Sequence, residues 1–184
     1  MELSTTRLWI RELVMEDWPA VHRYASDPRV TLHTIWGPNT EQDTIQYVQS
    51  MLNEQQKEPR TVYEMAVIRR EDNQLIGGCG LHLSDQQQAE IGYCNDPGSW
   101  GKGYASEAAA AMLEYGFNQL NLHRIYARCR PDNIGSAKVM QKIGMSYEGH
   151  LREHMYYKQQ WWDSYQYSIL QTEFREKTSF QKGI

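Results

Sequence analysis

A glycine turn that leads into an alanine-rich segment constrains the fold of this chain more than any other feature. The small and apolar residues of that segment recur at intervals of three and four, at Ala105, Ala108, Ala109, Met112, Leu113, Gly116, Phe117 and Leu120. This spacing predicts a helix with one buried face. The turn before it reads Trp100-Gly101-Lys102-Gly103-Tyr104-Ala105. Because the first N–H groups of a helix are unpaired and carry the positive end of its dipole, we predict a phosphate or diphosphate site here; a plain tight turn is the alternative.

Strand and helix signals fill the rest of the chain. The patterns predict strands at 7–13, 62–69, 74–83, 89–94, 124–130, 147–156 and 162–170. They predict further helices at 16–26, 40–55 and 133–143, and a loop at the Gln cluster 86–88. This order indicates an α+β (mixed α/β) domain of about seven strands and four helices. The length of 184 residues suits one domain over 1–184, with its core at about 6–170.

Composition and charge exclude several classes of protein. Lys and Arg number 19 against 23 Asp and Glu, a net charge of −4, so no general basic field exists to bind nucleic acid. Apolar stretches cover only a few residues, which predicts no membrane span, and the first residues show no signal region, which predicts a cytoplasmic protein. Three widely spaced cysteines, Cys79, Cys94 and Cys129, indicate neither a disulfide framework nor a zinc knuckle.

Two nucleotide-binding patterns fail at the glycine turn. Ser106 stands where the dinucleotide fingerprint G-x-G-x-x-G needs its third glycine. In the Walker pattern, Asp96 occupies the place of the first glycine, and Gly103 follows Lys102 where Ser or Thr belongs. The turn therefore fits neither of these two phosphate-binding motifs.

The turn and the motifs around it resemble the GNAT superfamily of N-acetyltransferases, in particular the RimJ/RimL type that acetylates ribosomal-protein N-termini. The pyrophosphate motif of that family, [Q/R]-x-x-G-x-[G/A], matches residues 100–105 with Gly103 and Ala105 in the fixed places, while Trp100 replaces the usual Gln or Arg. Further segments similar to this subgroup are AEIGYC at 89–94, ASEA at 105–108, LHRI at 122–125, DNIGSA at 132–137, KIGM at 142–145 and EG at 148–149. The resemblance covers residues 6–170.

The resemblance implies a twisted, mostly antiparallel sheet in which two parallel strands, 89–94 and 124–130, splay apart and hold acetyl-CoA as the cosubstrate, with no metal. The pantetheine arm would pair with the backbone of residues 93–95, and the diphosphate would rest on the amides of residues 101–105. The implied cofactor-binding residues are Tyr93, Cys94, Asn95, Trp100, Gly101, Lys102, Gly103, Tyr104, Ala105, Asn133, Ser136, Lys138 and Lys142. Asn133 is also a good helix N-cap, and lysines on a helix are usually solvated.

The resemblance also implies direct acetyl transfer to a primary amine in a ternary complex. Glu90 is the expected base, Ser136 the expected acid toward the departing thiolate, and a backbone N–H near Cys94 the expected oxyanion donor. The structural alternatives are a carboxylate held in an ion pair and an ordinary first-turn serine. Met140 replaces the tyrosine acid of many relatives, and Met155 falls where some RimL-type enzymes place a catalytic carboxylate.

The acceptor site is less sharply defined. Its expected walls are the first two helices, the loop that carries His33 and Trp36, and the pair Trp161 and Trp162; core packing is the alternative for each tryptophan. The acceptor amine stays open among a protein N-terminus such as that of a ribosomal protein, an amino acid, a polyamine and a drug. We also expect that an exposed final strand would support a homodimer.

Two other functions stay open as alternatives. The chain would bind acyl-CoA without catalysis if it were a sensor or partner protein. Residues 150–154 also spell H-x-x-E-H, a zinc-hydrolase pattern formed by His150, Glu153 and His154. That chemistry needs a helix, whereas the surrounding residues predict a strand, on which positions four apart lie about 13 Å apart. Glu153 or His154 would serve the acetyl-transfer site only after a shift in strand register.

Overall fold

The computed structural model describes residues 1–84 and 87–182, with the backbone alone described for 177–182. Its strands are β1 (Glu2–Ser4), β2 (Leu8–Glu12), β3 (Val62–Arg69), β4 (Gln74–Ser84), β5 (Gln88–Asn95), β6 (Arg124–Cys129), β7 (Ser146–Tyr157) and β8 (Gln160–Leu170). Its helices are α1 (Trp18–Ala25), α2 (Pro28–Thr31), α3 (Glu41–Gln55), α4 (Tyr104–Asn118), α5 (Ile134–Lys142) and α6 (Gln171–Lys182). Short 3₁₀ turns lie at Met15–Asp17 and Pro97–Ser99.

All the described strands form one sheet in the order β1-β2-β3-β4-β5-β6-β8-β7. The neighbouring strands pair antiparallel, except β5 and β6, which run parallel. This confirms the predicted α+β class and the parallel pair at 89–94 and 124–130. Within the described residues, the strand β1 and the helices α2 and α6 were not predicted from the sequence. β1 and α2 are too short to leave a periodic pattern in the sequence.

Two local predictions need correction. The last strand, β8, lies between β6 and β7, so it is not an exposed edge, and the edge of the sheet at this end is β7. The loop predicted at 86–88 lies partly outside the described residues, and Gln88 is the first residue of β5. None of the helices in the described ranges is long and apolar enough to cross a membrane.

The sheet has a helix layer on each face, and we name the faces by their helices. On the α4 face, α4 and α5 cover a core that includes Leu81, Ile91 and Ile125. On the α3 face, α1 and α3 cover a second core that includes Val48 and Ala66. Alternation along each strand divides the side chains between the two cores.

The predicted helical face of the alanine-rich segment is confirmed in α4. Met112, Leu113 and Phe117 are buried against the sheet, and each contributes about 1.5–3 kcal/mol by leaving water. Gly116 allows the close approach of the helix, because a Cβ there would stand 2.7 Å from Cδ1 of Ile125. This packing fixes the position of the N-terminus of α4 relative to the end of β5.

Side-chain caps set the starts of α3 and α5. Thr40 accepts a hydrogen bond from the N–H of Asp43, and the carboxylate of Asp43 accepts one from the N–H of Thr40, a capping box that begins α3 at the predicted place. Asn133 accepts a hydrogen bond from the N–H of Ser136 at 3.1 Å and so caps α5. The N-cap of α4 is Gly103, which has no side chain to fill that role.

Candidate active site

The two parallel strands separate after three residue pairs. Gln88 pairs with Arg124, Ala89 with Ile125 and Glu90 with Tyr126. Beyond this point residues 91–95 have no strand partner on the β6 side within the described part of the chain. Backbone N–H and C=O groups need partners, so the open side of β5 can accept an extended ligand as an added strand.

The glycine turn lies between the end of β5 and α4. Gly101 and Gly103 have positive φ angles of 73° and 82°, which glycine adopts without strain. Within the described residues, the N–H groups of residues 101–103 donate no hydrogen bond. The first amides of α4 have no acceptor within the helix either. The turn therefore presents a set of free amides at the positive end of a helix dipole.

Two cations flank these amides. A Cβ on Gly103 would stand 3.5 Å from Nη2 of Arg7 and 3.7 Å from Nζ of Lys142. Arg7 is held in place by its ion pair with Glu107 at 2.6 Å and by a hydrogen bond to the carbonyl of Lys102. The structure thus brings Lys142 to the turn, as the family resemblance implies, whereas Lys138 is an exposed residue of α5. Arg7 was missed from the sequence because it lies almost 100 positions away.

Trp100 joins the turn to the end of β5. Its indole N–H donates to the backbone carbonyl of Asn95 at 2.8 Å, while about half of its side chain stays exposed. The carbonyl of Asn95 is therefore already engaged, so Tyr93 and Cys94 are better placed than Asn95 to pair with an added strand.

Tyr93 and Ser136 meet across the opening between β5 and α5. The Tyr93 hydroxyl lies 2.9 Å from the carbonyl oxygen of Ser136 and 3.0 Å from its Oγ. If Tyr93 donates to the carbonyl, it is free to accept from the serine hydroxyl. Burial raises the pKa of Tyr93 well above its usual value, so its proton stays in place at neutral pH. Met140 is buried in the α4-face core and supplies no hydroxyl.

Glu90 lies on the α3 face and forms an ion pair with Arg128. Both oxygens of the carboxylate accept hydrogen bonds, from Nε at 2.9 Å and from Nη2 at 2.5 Å. The interaction raises the pKa of the Arg128 guanidinium. This geometry is the structural alternative that the sequence left open for Glu90, and it leaves the catalytic assignment untested.

A bulge in β7 brings His154 into the same site. Leu151 pairs with Ser164 and Met155 with Trp162, so three residues of β7 stand opposite one residue of β8. His154 accepts a hydrogen bond from Arg128 at 2.8 Å and contacts Oγ of Ser164 with its other ring nitrogen. Its pKa is lowered, by burial first and by the neighbouring arginines next. The register shift considered from the sequence is therefore present, but both nitrogens of His154 are engaged.

The zinc-hydrolase pattern is not assembled as a metal site. His150 pairs with Asp163 at 2.6 Å, and the N–H of Glu153 donates to the same carboxylate at 2.8 Å. His154 is directed to Arg128 instead. Across the described part of the chain, no three His, Cys, Asp or Glu side chains converge in a way that would hold a metal ion.

The expected acceptor walls are only partly brought together. His33 lies 3.5 Å from Asp132 at the start of α5, so its loop reaches the cleft, and the neighbouring Trp36 is exposed in that loop. Trp162 shares the α3 face with Arg128, because Arg128 pairs with Gln166 and alternate residues of β8 share a face. Trp161, the preceding residue of β8, therefore lies on the opposite face of the sheet, and its part in the acceptor wall stays a prediction.

A carboxylate and an imidazole that the sequence analysis missed also lie on the α3 face. Glu64 on β3 and His82 on β4 are hydrogen-bonded at 2.6 Å. The available signal was the charged residue inside the otherwise apolar strand VYEMAVIR, which is unusual because buried carboxylates need partners. The register that brings these residues to the cleft is a tertiary feature.

Splayed parallel strands beside a helix end with free amides are the arrangement expected of a coenzyme A-dependent acyltransferase. The chain belongs to the GNAT family: the model of the acetyltransferase (GNAT) domain matches residues 7–146. The resemblance stated from the motifs is thereby confirmed, as is the GNAT fold.

Individual acetyltransferases are similar to the chain over most of its length. It is 41% identical over 175 residues to an uncharacterized N-acetyltransferase, YnaD, of Bacillus subtilis, covering 95% of this chain and 99% of the relative. A crystal structure of a GNAT-family acetyltransferase from Bacillus anthracis is 39% identical, with a TM-score of 0.84 over 94% of this chain and 99% of that one. RimL, a ribosomal L7/L12 alpha-N-protein acetyltransferase solved with coenzyme A, shares the fold at 20% identity, a TM-score of 0.81 and coverages of 92% and 98%. The chain is an N-acetyltransferase that uses acetyl-CoA and transfers the acetyl group to an amine.

Proposed function

We propose that this N-acetyltransferase transfers acetyl directly to a primary amine in a ternary complex, without an acyl-enzyme. The observation that carries the proposal is the set of free amides at residues 101–103, placed beside strands that open after Glu90. A diphosphate on these amides sets the direction of the pantetheine arm along β5. The thioester then lies where both Ser136 and the α3 face can reach it.

Each group of the cleft has a distinct part in this proposal. The amides of residues 101–105, with Lys142 and Arg7, bind the phosphates through hydrogen bonds and charge. The backbone of Tyr93 and Cys94 pairs with the pantetheine arm, and an N–H there stabilises the oxyanion. Ser136 donates a proton to the leaving thiolate. The reaction needs no metal and no covalent link to the chain.

Cys94→Ala is expected to leave kcat within about threefold of wild type. Burial, and next the nearby Glu64 carboxylate, raise the pKa of Cys94 to about 12, so almost none of it is the nucleophilic thiolate at neutral pH. Steady-state turnover with acetyl-CoA, together with CoA affinity by calorimetry, checks this. A complete loss of turnover with normal CoA binding would favour a covalent route.

Glu90 as the base stays a prediction, and it is a demanding one, because the carboxylate must give up Arg128 to take a proton. We expect Glu90→Gln to lower kcat more than it weakens CoA binding, since the ion pair shapes the acceptor site on any mechanism. The measurement is kcat and the CoA dissociation constant of the same preparation. If kcat and the CoA dissociation constant both equal the wild-type values, Glu90 is not the base.

The experiment that tests the function is an acceptor screen with acetyl-CoA. The panel contains spermidine, free amino acids, an aminoglycoside and peptides with ribosomal-protein N-termini. Release of free thiol with matching acetylated product supports transfer. Tight CoA binding without transfer to any amine favours the alternative of a non-catalytic acyl-CoA sensor.

Four finer proposals complete this function. A ribosomal-protein N-terminus is one candidate acceptor, supported by the family resemblance and by the fold shared with RimL. A homodimer would use the edge strand β7, which carries the exposed Tyr147 and Tyr156; light scattering measures its mass. A cytoplasmic location and a single domain over 1–184 agree with the acetyl-CoA requirement and with the single sheet.

A further inference from the structure

Glu64 and His82 form a second polar pair on the α3 face, beside Glu90 and Arg128. The carboxylate of Glu64 is mostly buried, whereas about half of the His82 side chain is exposed. We propose that this pair accepts the proton that the acceptor amine loses, with Glu64 facing the amine and His82 passing the proton to water. The inference rests on the acetyl-transfer function proposed above and names a catalytic group within it.

The sheet register aims Glu64 at the cleft. Glu64 pairs with Gly80 across β3 and β4, and Gly80 pairs with Gly92 across β4 and β5. Directly paired residues of antiparallel strands share a face, so the side chain of Glu64 follows this row. Gly92 comes two residues after Glu90, the last residue of β5 that pairs with β6. The row therefore ends where the cleft opens.

The two glycines of the row make room for the carboxylate and for a substrate. A Cβ on Gly80 would stand 2.5 Å from Cδ of Glu64 and within 2.7 Å of both oxygens, so the carboxylate lies over Gly80. A Cβ on Gly92 would meet nothing within 4 Å, and this glycine is exposed. The carboxylate is thus about one strand spacing, roughly 4.8 Å, from open space at the cleft.

Glu64 also differs from the other candidate bases of this face in its hydrogen-bond partners. Both oxygens of Glu90 accept hydrogen bonds from Arg128, and both ring nitrogens of His154 are engaged. Glu64 has no Arg or Lys ion pair within the described residues; its ion-pair partner is His82. A proton on Glu64 can therefore move to the imidazole without breaking a salt bridge to a permanent cation.

His82 connects the pair to solvent and lies near several carboxylates. Its hydrogen bond with Glu64 is the largest cause that raises the pKa of His82, and Glu90 and Glu54 raise it further. The titratable groups that face the pair are Glu90 and Cys94 on β5, Glu54 and Tyr47 on α3, and Tyr24 on α1, while Cys79 on β4 lies behind it in the α4-face core. The pair must be deprotonated to act, so the rate is expected to fall as the pH drops through the raised pKa of His82.

The proton balance of the step is complete without another reactant. The amine nitrogen forms its bond to the acetyl carbon, and the carbon–sulfur bond breaks with its electron pair on sulfur. At pH 7 the acceptor is mainly an ammonium ion, whose nitrogen loses one proton to Glu64 before the attack; this proton then passes to His82 and water. The nitrogen loses its second proton to water after the attack. The thiolate gains one proton from Ser136, whose hydroxyl is restored by water.

The test compares Glu64→Gln with wild type, using the amine of the screening panel that gives the highest turnover. Glutamine keeps the shape of Glu64 and can still accept a hydrogen bond from His82 through its amide oxygen, but it takes no proton. We expect kcat at pH 7 to fall by about 100-fold or more, within the range for loss of a general base, with CoA affinity and Tm close to wild type. The deficit should shrink as pH rises toward the pKa of the amine, because solution then supplies the neutral nucleophile.

The pH dependence separates this role from a structural one. A distorted site would lower the rate by a similar factor at every pH, and CoA affinity or Tm would fall with it; either result overturns the proposal. Glu54→Gln is the matched control, since it also removes a carboxylate that faces His82, and its plateau rate should stay within about twofold of wild type. His82→Gln should slow turnover less than Glu64→Gln does.

Two further outcomes are decisive. If Glu90→Gln shows the recovery at high pH while Glu64→Gln matches wild type, Glu90 is the base and the inference is wrong, although the acetyltransferase function stands. If the wild-type chain acetylates no amine in the panel, the proposed function fails and the inference fails with it. Full activity of Glu64→Gln across the pH range would likewise overturn the inference alone.

Discussion

Valine in place of Gly103 is expected to weaken CoA binding by about 100-fold or more, the cost of two charge-assisted hydrogen bonds. Gly103 has a φ of 82°, a conformation that costs a β-branched residue about 1–3 kcal/mol. Its new side chain would also enter the space between Arg7 and Lys142, where the phosphates are expected. Both effects act on the anion site, because the side-chain atoms that a Cβ at Gly103 would meet within 4 Å belong to Arg7 and Lys142.

Calorimetry with CoA measures this change, and thermal unfolding of the same variant shows whether the fold persists. Gly149→Ala is the matched control, because a Cβ there would meet nothing within 4 Å and Gly149 lies on β7, outside the turn. Its affinity for CoA should equal that of wild type. Wild-type affinity in Gly103→Val would instead show that the phosphates bind elsewhere.

Alanine in place of Ser136 is expected to lower kcat by about 100-fold, as for the loss of a general acid. Oγ of Ser136 lies at the open end of the cleft, 3.0 Å from the hydroxyl of Tyr93. The backbone N–H of Ser136 donates a hydrogen bond to Oδ1 of Asn133, and the substitution leaves this hydrogen bond in place. The dissociation constant for CoA should therefore change by less than about twofold.

Single-turnover and steady-state rates of Ser136→Ala give the size of the effect. Tyr93→Phe removes the hydroxyl that orients Ser136 without removing the proposed acid, so it should slow the reaction less. Ser50→Ala, an exposed position on α3, controls for the substitution itself. A kcat of Ser136→Ala equal to that of wild type would show that Ser136 does not protonate the leaving thiolate.

Local periodicity was enough to predict α4, because the interval of three and four recurs over four turns of helix. The strand signals at residues 62–69 and the alternation at 124–130 likewise predicted β3 and β6 to within one residue. The glycine turn was readable for the same reason: φ angles above zero and free amides are properties of a short segment. The phosphate site depends mainly on neighbours in sequence; the resemblance implied Lys142 as well, and only Arg7 was added by the fold.

The acceptor face was much less predictable. His154 reaches Arg128 only because β7 bulges at residues 152–154, and nothing in the local sequence fixes that register. The last strand, β8, lies between β6 and β7 in the sheet. No pattern within the sequence of β8 reveals this internal position. Trp161 and Trp162 are adjacent in sequence but face opposite sides of the sheet.

The chain by itself determined the elements that depend on contacts a few residues apart: the helical periods, the strand alternation, the glycine turn and the family motifs. Tertiary structure decided which charges meet, because Glu64, His82, Glu90 and Arg128 come from four different strands. Their pairing follows from strand order and register, and these are set by how the two cores pack against the sheet. Long-range packing therefore decides the proton chemistry of the cleft, whereas local sequence decides where the coenzyme binds.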